Sequence, residues 1–436
     1  MPYFRIVTFG CKVNQGDTAA MALELARLGW RAAGSGKAAD LILVNTCTVT
    51  ARADQQARQA VRRLGRDYPD TALAVTGCYA QRAPLEAAAL PGVRAVWGNR
   101  EKAGLAWLIE DIRSSGAPVI RVGAFSAREP FHPGSGCPAP GHIRPFLKIQ
   151  EGCDHRCSYC IVPAVRGPGR SLAPPGVEQG LKELAALGCQ EVVLTGVDLG
   201  QYGRDLSPSL DLAGLMRRLA GGNWPFRVRL SSLEPQRITG ELLEALAAFP
   251  QLCPHFHLPL QSGSAAVLAA MGRPYGPEDF RHLVMEIHRH FPRAALGLDV
   301  LVGYPGETPA DFEATRSLVA ALPVTYLHVF PFSPRPGTGA ASLRPEPAGE
   351  VQARARVMRE LGAIRKQAFY RAQIGQVAEV LVEGPGPQPG WLKGLSENYL
   401  RVVFPGPRER RNTRLKVRLR HFEGEALLGE VVSGPD

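Results

Sequence analysis

The chain has 436 residues, 51 Lys and Arg against 40 Asp and Glu, a net charge of +11, and 45% hydrophobic residues. Its length asks for about three domains, its apolar runs stop short of the roughly 20 residues of a membrane-spanning helix, and a cytoplasmic protein drawn to polyanions is expected. Nine cysteines, with no basic-then-apolar leader before the first strand-like run at Tyr3–Val7, argue against a disulfide scaffold and for metal or redox chemistry.

Residues 1–125 alternate apolar strands with helices, the pattern of a parallel α/β sheet. Three strand-like runs end at Cys11, Cys47 and Cys78. Helices are expected from Asp17, a good N-cap, to Gly29, and from Ala53 to Gly65. Ligands of such sheets sit beyond the carboxyl ends of the strands, so these cysteines share one edge. Taken singly, each is also readable as a buried structural thiol, the lesser of the two readings. Arg52, Arg58, Arg62, Arg63 and Arg66 make the second helix basic. Residues 126–141 are rich in Pro and Gly and read as a linker, with Cys137 a bystander.

From 142 to 345, six strand-like segments (145–150, 191–195, 227–231, 255–260, 296–302 and 325–331) alternate with helical ones. This predicts an open, partial (β/α)6 barrel whose chemistry lies on the loops after the strands. An amphipathic helix over 346–373 follows, with Val357, Leu361 and Ile364 on one stripe. Residues 374–436 hold short alternating strands, enough for a small β-barrel. Arg414, Lys416, Arg418 and Arg420 share one face of a strand whose Leu415, Val417 and Leu419 face a core.

Just after the first barrel strand stands Cys153-x3-Cys157-x2-Cys160. Three thiolates on one short loop can hold three corners of a [4Fe–4S] cube, leaving the fourth iron open to an amino acid's amine and carboxylate. A zinc site using His155, in a non-catalytic RNA-binding protein, is the competing reading, although zinc patterns usually pair two C-x2-C units. Polar residues after the strands ring the barrel mouth: Thr195, Gly196 and Asp198, then Ser232 and Glu234, then Gln261 and Ser262, and finally Asp299 and Gly303. Each is a candidate cofactor contact and each is also explicable as a turn or cap residue. Cys189 and Cys253 precede strands, which sends them to the opposite end of the barrel.

With Tyr159 immediately before its last cysteine, the loop resembles that of the radical S-adenosylmethionine superfamily. The likeness continues along the chain. Gly10-Cys11-Lys12-Val13-Asn14-Gln15, Val44-Asn45-Thr46-Cys47-Thr48, Thr76-Gly77-Cys78-Tyr79-Ala80-Gln81, and Arg166-Gly167 with Arg170-Ser171 resemble the methylthiotransferase family. So do Leu194–Asp198, Ser231–Pro235, Leu260–Ser264, Asp299–Thr308 and Phe330–Ser333. The resemblance implies an N-terminal cluster domain, a radical barrel and a C-terminal TRAM β-barrel. It implies two [4Fe–4S] clusters, one on Cys153, Cys157 and Cys160 that binds S-adenosylmethionine, and a sulfur-carrying one on Cys11, Cys47 and Cys78. Tyr159 and the strand-end residues would hold the cofactor, Thr195, Gly196 and Asp198 near the methionine amine, with Arg166 and Arg170 near the cofactor or the sulfur.

Such enzymes attach a methylthio group by way of a 5′-deoxyadenosyl radical, and need a low-potential electron donor and a sulfur source. Their recipients are tRNA adenosines or a ribosomal-protein aspartate. The net charge and the Arg414–Arg420 strand favour a tRNA anticodon stem-loop bound by a monomer. Gly10–Gln15 and Asn45–Thr50 most resemble the branch acting on N6-threonylcarbamoyladenosine. The isopentenyladenosine branch usually reads Gln-Met after that first cysteine. Gly16-Asp17 departs from the aromatic-acidic pair common in the threonylcarbamoyl branch.

Overall fold

A computed structural model describes residues 1–34, 37–126, 129–131 and 143–432. Most of the expected linker, Cys137 included, lies outside them. The chain divides into two compact units: residues 1–183, 195–210 and 333–342 form one, and residues 184–194, 211–332 and 343–436 the other.

The first unit is built on a parallel sheet. Its strand order is Arg31–Ala32, β1 (Tyr3–Thr8), β2 (Leu41–Thr46), β3 (Ala72–Gly77), β4 (Val93–Trp97) and β5 (Val119–Arg121). The run Leu41–Val44 is apolar throughout and wholly buried, as a strand covered on both faces must be. Ile42 and Val44 pack with Ala57, Val61 and Leu64 of α2 (Ala51–Asp67). Leu41 and Leu43 pack on the other face with Met21 and Leu25 of α1 (Lys12–Arg27).

Helix α1 begins five residues before the expected Asp17. Cys11 occupies the N-cap, and Asp17 is buried within the helix. Its carboxylate takes Lys102 Nζ and Lys148 Nζ, each at 2.7 Å, rather than free helix amides. Tertiary ion pairing outweighs the local capping preference. Directly after β3 comes the short helix α3 (Cys78–Arg82), after β4 comes Asn99, and after β5 the chain reaches β6 (Phe146–Lys148), the Cys153–Cys160 loop and the short helix α4 (Val162–Arg166).

All six expected barrel strands form. Besides β6 they are β7 (Glu191–Thr195), β8 (Arg227–Leu230), β9 (His255–Gln261), β10 (Ala295–Val302) and β11 (Tyr326–Pro331). In the second unit β8 runs parallel to β7, and β9, β10 and β11 run parallel in that order. Helix α5 (Ala348–Ala372) lies on β11, with the Cα of Gly362 over Leu327. Its buried stripe is Ala355, Met358, Gly362 and Tyr370, while Ile364 is 63% exposed, so the expected stripe through Ile364 is corrected. The close approach at Gly362 turns the helix by a fraction of a turn relative to the apolar pattern.

The chain ends in a closed five-stranded barrel, ordered β12 (Val377–Pro385), β13 (Trp391–Ser396), β14 (Arg401–Pro405), β16 (Ala426–Val431) and β15 (Arg414–Glu423). Val380, Val382, Leu392, Val402, Phe404, Val417, Leu419 and Leu427 fill it. Closure removes the sheet edges that five short strands would otherwise expose. Among the described residues no helix is long and apolar enough to cross a membrane.

Candidate functional site

In the first unit, adjacent strands β1, β2 and β3 deliver Cys11, Cys47 and Cys78 to one sheet edge. Gly10 has φ +106°, and a Cβ there would stand 2.8 Å from Cys47 Cβ, so only glycine lets the two loops approach. Burial first, and then the negative charge of Cys78, push the Cys47 thiol up to about 12, with a smaller push from Cys11. Three thiols near enough to repel one another's ionisation form a donor set suited to a soft metal centre.

A buried charge network supports Cys78. Arg166 Nε donates to Cys78 Sγ at 3.3 Å, and Asn99 Nδ2 donates to the same sulfur at 3.5 Å. Arg166 Nη1 reaches Asp17 Oδ2 at 2.9 Å and Glu151 Oε1 at 2.6 Å, and Nη2 donates to Asn14 Oδ1. Lys148 bridges Asp17 and Glu151, Lys102 also binds Asp17, and Arg170 Nη2 stands 3.8 Å from Glu151. Two carboxylates thus face four cations, and the surplus positive charge lies behind the thiols. That imbalance fits an anionic centre on the cysteines. Burial would raise the Asp17 and Glu151 carboxyls, but the cations prevail and hold both below the usual carboxylate range, Asp17 well below. Burial opposes the charge on Arg166 too, yet Cys78, Asp17 and Glu151 together hold its guanidinium firmly protonated.

Cys153, Cys157 and Cys160 are all half-buried on their loop, which is tied by Cys153 N–H to Gly167 O and Cys160 N–H to Cys157 O, both 3.1 Å. Cys153 opens on a pocket of about 520 Å³ lined also by His155, Arg156, Phe125 and Gln81, the last lying three residues beyond Cys78. Cys78 itself packs on Ile161 and Val165, directly after Cys160. A returning segment joins the two cysteine loops from another side. Arg335 Nη2 donates to Thr48 Oγ1 at 2.9 Å, beside Cys47, and Ala340 N–H donates to Ser158 O at 2.7 Å. The two thiol sets are therefore neighbours within one unit.

Thr195, Gly196 and Asp198 follow β7 in that same unit. The Thr195 hydroxyl is buried without a hydrogen-bond partner among the described residues. Asp198 Oδ2 lies 3.0 Å from His155 Nε2, and its amide donates to Gln150 Oε1 at 2.8 Å. His155 is thereby paired with a carboxylate of the barrel. Tyr159 is half-buried.

In the second unit the candidates divide. Ser232 is half-buried, and Glu234 pairs with Arg273. Gln261 takes φ +65° at a bulge in β9. Ser262 is spent on local structure: its Oγ contacts Thr315 Oγ1 at 3.2 Å and accepts from Ser264 N–H at 3.2 Å. Gly303 is also a packing residue, since at φ +73° a Cβ would meet Val351 Cγ2 of α5 at 2.4 Å and its amide donates to Glu307. Asp299 accepts from His257 Nε2 at 2.8 Å and sits 3.4 Å from His328 Nδ1. Burial would raise its carboxyl, but those two imidazoles hold it below the usual range. Cys189 and Cys253 are buried in the second unit, and burial pushes Cys253 up to about 12.

Sequence reasoning missed Asn99, Arg335, and the His257 and His328 imidazoles that flank Asp299. It also missed Arg227 and Arg229, whose guanidiniums pair with Glu191 at 2.7 and 2.8 Å and reach the C-terminal barrel at Glu379 O, Leu395 O and Ser396 O. The one available signal was two arginines alternating within a buried strand.

On β15, Lys416 and Arg420 are exposed, while Arg414 and Arg418 are half-buried. Arg414 turns back to Glu379, Gln190 and Pro225 O, and Arg420 pairs with Glu430 at 2.7 Å. The uniform basic face expected from alternation is thus partly neutralised, because adjacent strands supply carboxylates that the strand's own sequence does not show.

A model described as "Uncharacterized protein family UPF0004" matches residues 3–98, and one described as "Radical SAM superfamily" matches 147–319. The threonylcarbamoyladenosine tRNA methylthiotransferase MtaB of Aquifex aeolicus is 35% identical over 404 residues, covering 92% of this chain and 96% of its own. The tRNA-2-methylthio-N(6)-dimethylallyladenosine synthase of Moorella thermoacetica is 34% identical over 443 residues, covering 99% and 98%. In fold, the radical S-adenosylmethionine methyltransferase TsrM of Kitasatospora setae matches with a TM-score of 0.58 over 78% of this chain and 74% of its own, at 17% identity. Relatives this similar from end to end are enzymes, which sets aside the non-catalytic zinc reading. The chain belongs to the radical S-adenosylmethionine methylthiotransferase family.

Proposed function

We propose that this enzyme adds a methylthio group to C2 of N6-threonylcarbamoyladenosine beside a tRNA anticodon, using two [4Fe–4S] clusters. The observation that carries the reading is the neighbouring pair of three-cysteine sets, Cys11, Cys47 and Cys78 against Cys153, Cys157 and Cys160, joined through Arg166 and the 333–342 segment. Side-chain acids, bases and nucleophiles cannot insert sulfur at an aromatic C–H, so a cofactor must do so. When bound, the clusters supply one-electron cleavage of S-adenosylmethionine at one set and an iron that carries sulfur at the other.

This chain's residues would then hold and orient. The unpartnered Thr195 hydroxyl and the Asp198 carboxylate offer an acceptor pair for the methionine amine. The 520 Å³ pocket at Cys153 gives that ligand room within a wall shared with Gln81. Lys416 and Arg418 of the C-terminal barrel offer phosphate contacts for an anticodon stem-loop. The unstacked base would enter the barrel mouth. The threonylcarbamoyl substrate rests on the Gly10–Gln15 and Asn45–Thr50 segments and on the name of the Aquifex aeolicus relative.

The test is nucleoside mass spectrometry on tRNA from a deletion strain. Loss of the methylthio-threonylcarbamoyl nucleoside, restored by the wild-type gene but not by Cys78→Ala, is the expected result. Loss of the methylthio-isopentenyl species instead would move the substrate to the branch of the Moorella thermoacetica relative.

A further inference from the structure

We infer that Arg166, assisted by Asn99, is a positioning residue that tunes the reduction potential of the cluster proposed on Cys11, Cys47 and Cys78. The inference rests on the two-cluster reading above.

Arg166 has the form of a built ligand support rather than a loop charge. Its side chain is 2% exposed, and its fork is fully committed: Nη1 to Asp17 and Glu151, Nη2 to Asn14. Those anchors leave Nε–H aimed at Cys78 Sγ. Asn99 adds a second N–H on the same sulfur while its Nδ2 also donates to Val165 O at 2.7 Å. The Cys78 sulfur thus receives two side-chain N–H donors, and both are fixed to α4, the helix that starts two residues after Cys160.

Hydrogen bonds to a ligand sulfur and a buried positive charge both stabilise the reduced, more negative cluster, and so raise its potential. Replacement by lysine would keep the charge but lose the planar fork that four partners require. A purely structural clamp would hold the fold without moving a potential, which separates the two roles.

The experiment uses the full chain, reconstituted anaerobically with iron and sulfide, and follows each cluster by electron paramagnetic resonance during a redox titration. Arg166→Lys and Asn99→Ala should each make the midpoint of the N-terminal cluster more negative. For Arg166→Lys a tenfold fall in the reduced-to-oxidised ratio at the wild-type midpoint is expected, about 59 mV for one electron. The cluster on Cys153, Cys157 and Cys160 should keep its potential and its response to S-adenosylmethionine. Full iron content with an unshifted N-terminal midpoint in both variants would overturn the inference. If Arg166→Lys does not fold, Asn99→Ala decides alone, by the same shift or its absence. A Cys11→Ala, Cys47→Ala, Cys78→Ala variant distinguishes the two levels. Iron unchanged from wild type would sink the two-cluster reading itself, whereas a halving of iron with unmoved potentials in the other variants would sink only the role of Arg166.

Discussion

Asp17 illustrates how a residue's role is set by what the fold brings to it. In sequence it is a helix cap, and in the structure it is the shared anion of Lys102, Lys148 and Arg166, buried from solvent. Removing one member of a buried ionic group leaves the others uncompensated, at a cost of about 3–5 kcal/mol. Asp17→Ala should therefore lower the stability of the first unit by that amount in urea titration, and an exposed control such as Asp70→Ala should leave it nearly unchanged. The pH dependence follows from the same network. Asp17 and Glu151 have carboxyls depressed in the folded state, so their contribution is complete above the unfolded value of about 4 and is lost as pH falls through the depressed values. Urea midpoints should fall steeply below about pH 4, and Asp17→Asn should flatten that fall. An unchanged slope in Asp17→Asn would show that other carboxylates govern acid unfolding.

Among the elements, β15 carries the clearest consequence. Alternation correctly placed Val417 and Leu419 in the barrel core, with the basic residues on the other face. It could not foresee that Glu379 of β12 and Glu430 of β16 would pair with Arg414 and Arg420. Under the proposed function, Lys416 and Arg418 would therefore be the more available phosphate contacts. Each changed to Ala should reduce the slope of log binding constant against log salt by roughly 0.7 for a single-stranded anticodon loop. Arg414→Ala should instead weaken the packing of the strand, and Glu430→Ala should strengthen RNA binding by freeing Arg420. An RNA affinity indifferent to Glu430→Ala would place Arg420 outside the interface. Helix α5 teaches the same lesson from the apolar side, because its close packing at Gly362 over Leu327 rotated the buried stripe away from Ile364.

At the scale of the molecule, the second unit joins its parallel strands to the C-terminal barrel through Glu191, Arg227 and Arg229. Both guanidiniums pair with one carboxylate at the start of β7 and then donate to backbone carbonyls of β12, β13 and the loop after it. Glu191→Gln should cost several kcal/mol by stranding two buried cations, read as a lowered unfolding midpoint of this unit, and Glu191→Asp should recover part of it. The parallel sheet, the six barrel strands and the small C-terminal β-barrel were legible in the sequence. They depend on apolar periodicity, turn residues and local spacing, which are properties of neighbouring residues. What only the tertiary structure decided was the partnership of distant charges: Arg166 on Cys78 with Asp17 and Glu151, Arg335 beside Cys47, and Asp299 between His257 and His328. Coulomb and hydrogen-bond energies are large only at contact and in a dry interior. A linear sequence fixes which charges exist, but the packed sheet and barrel fix which of them meet.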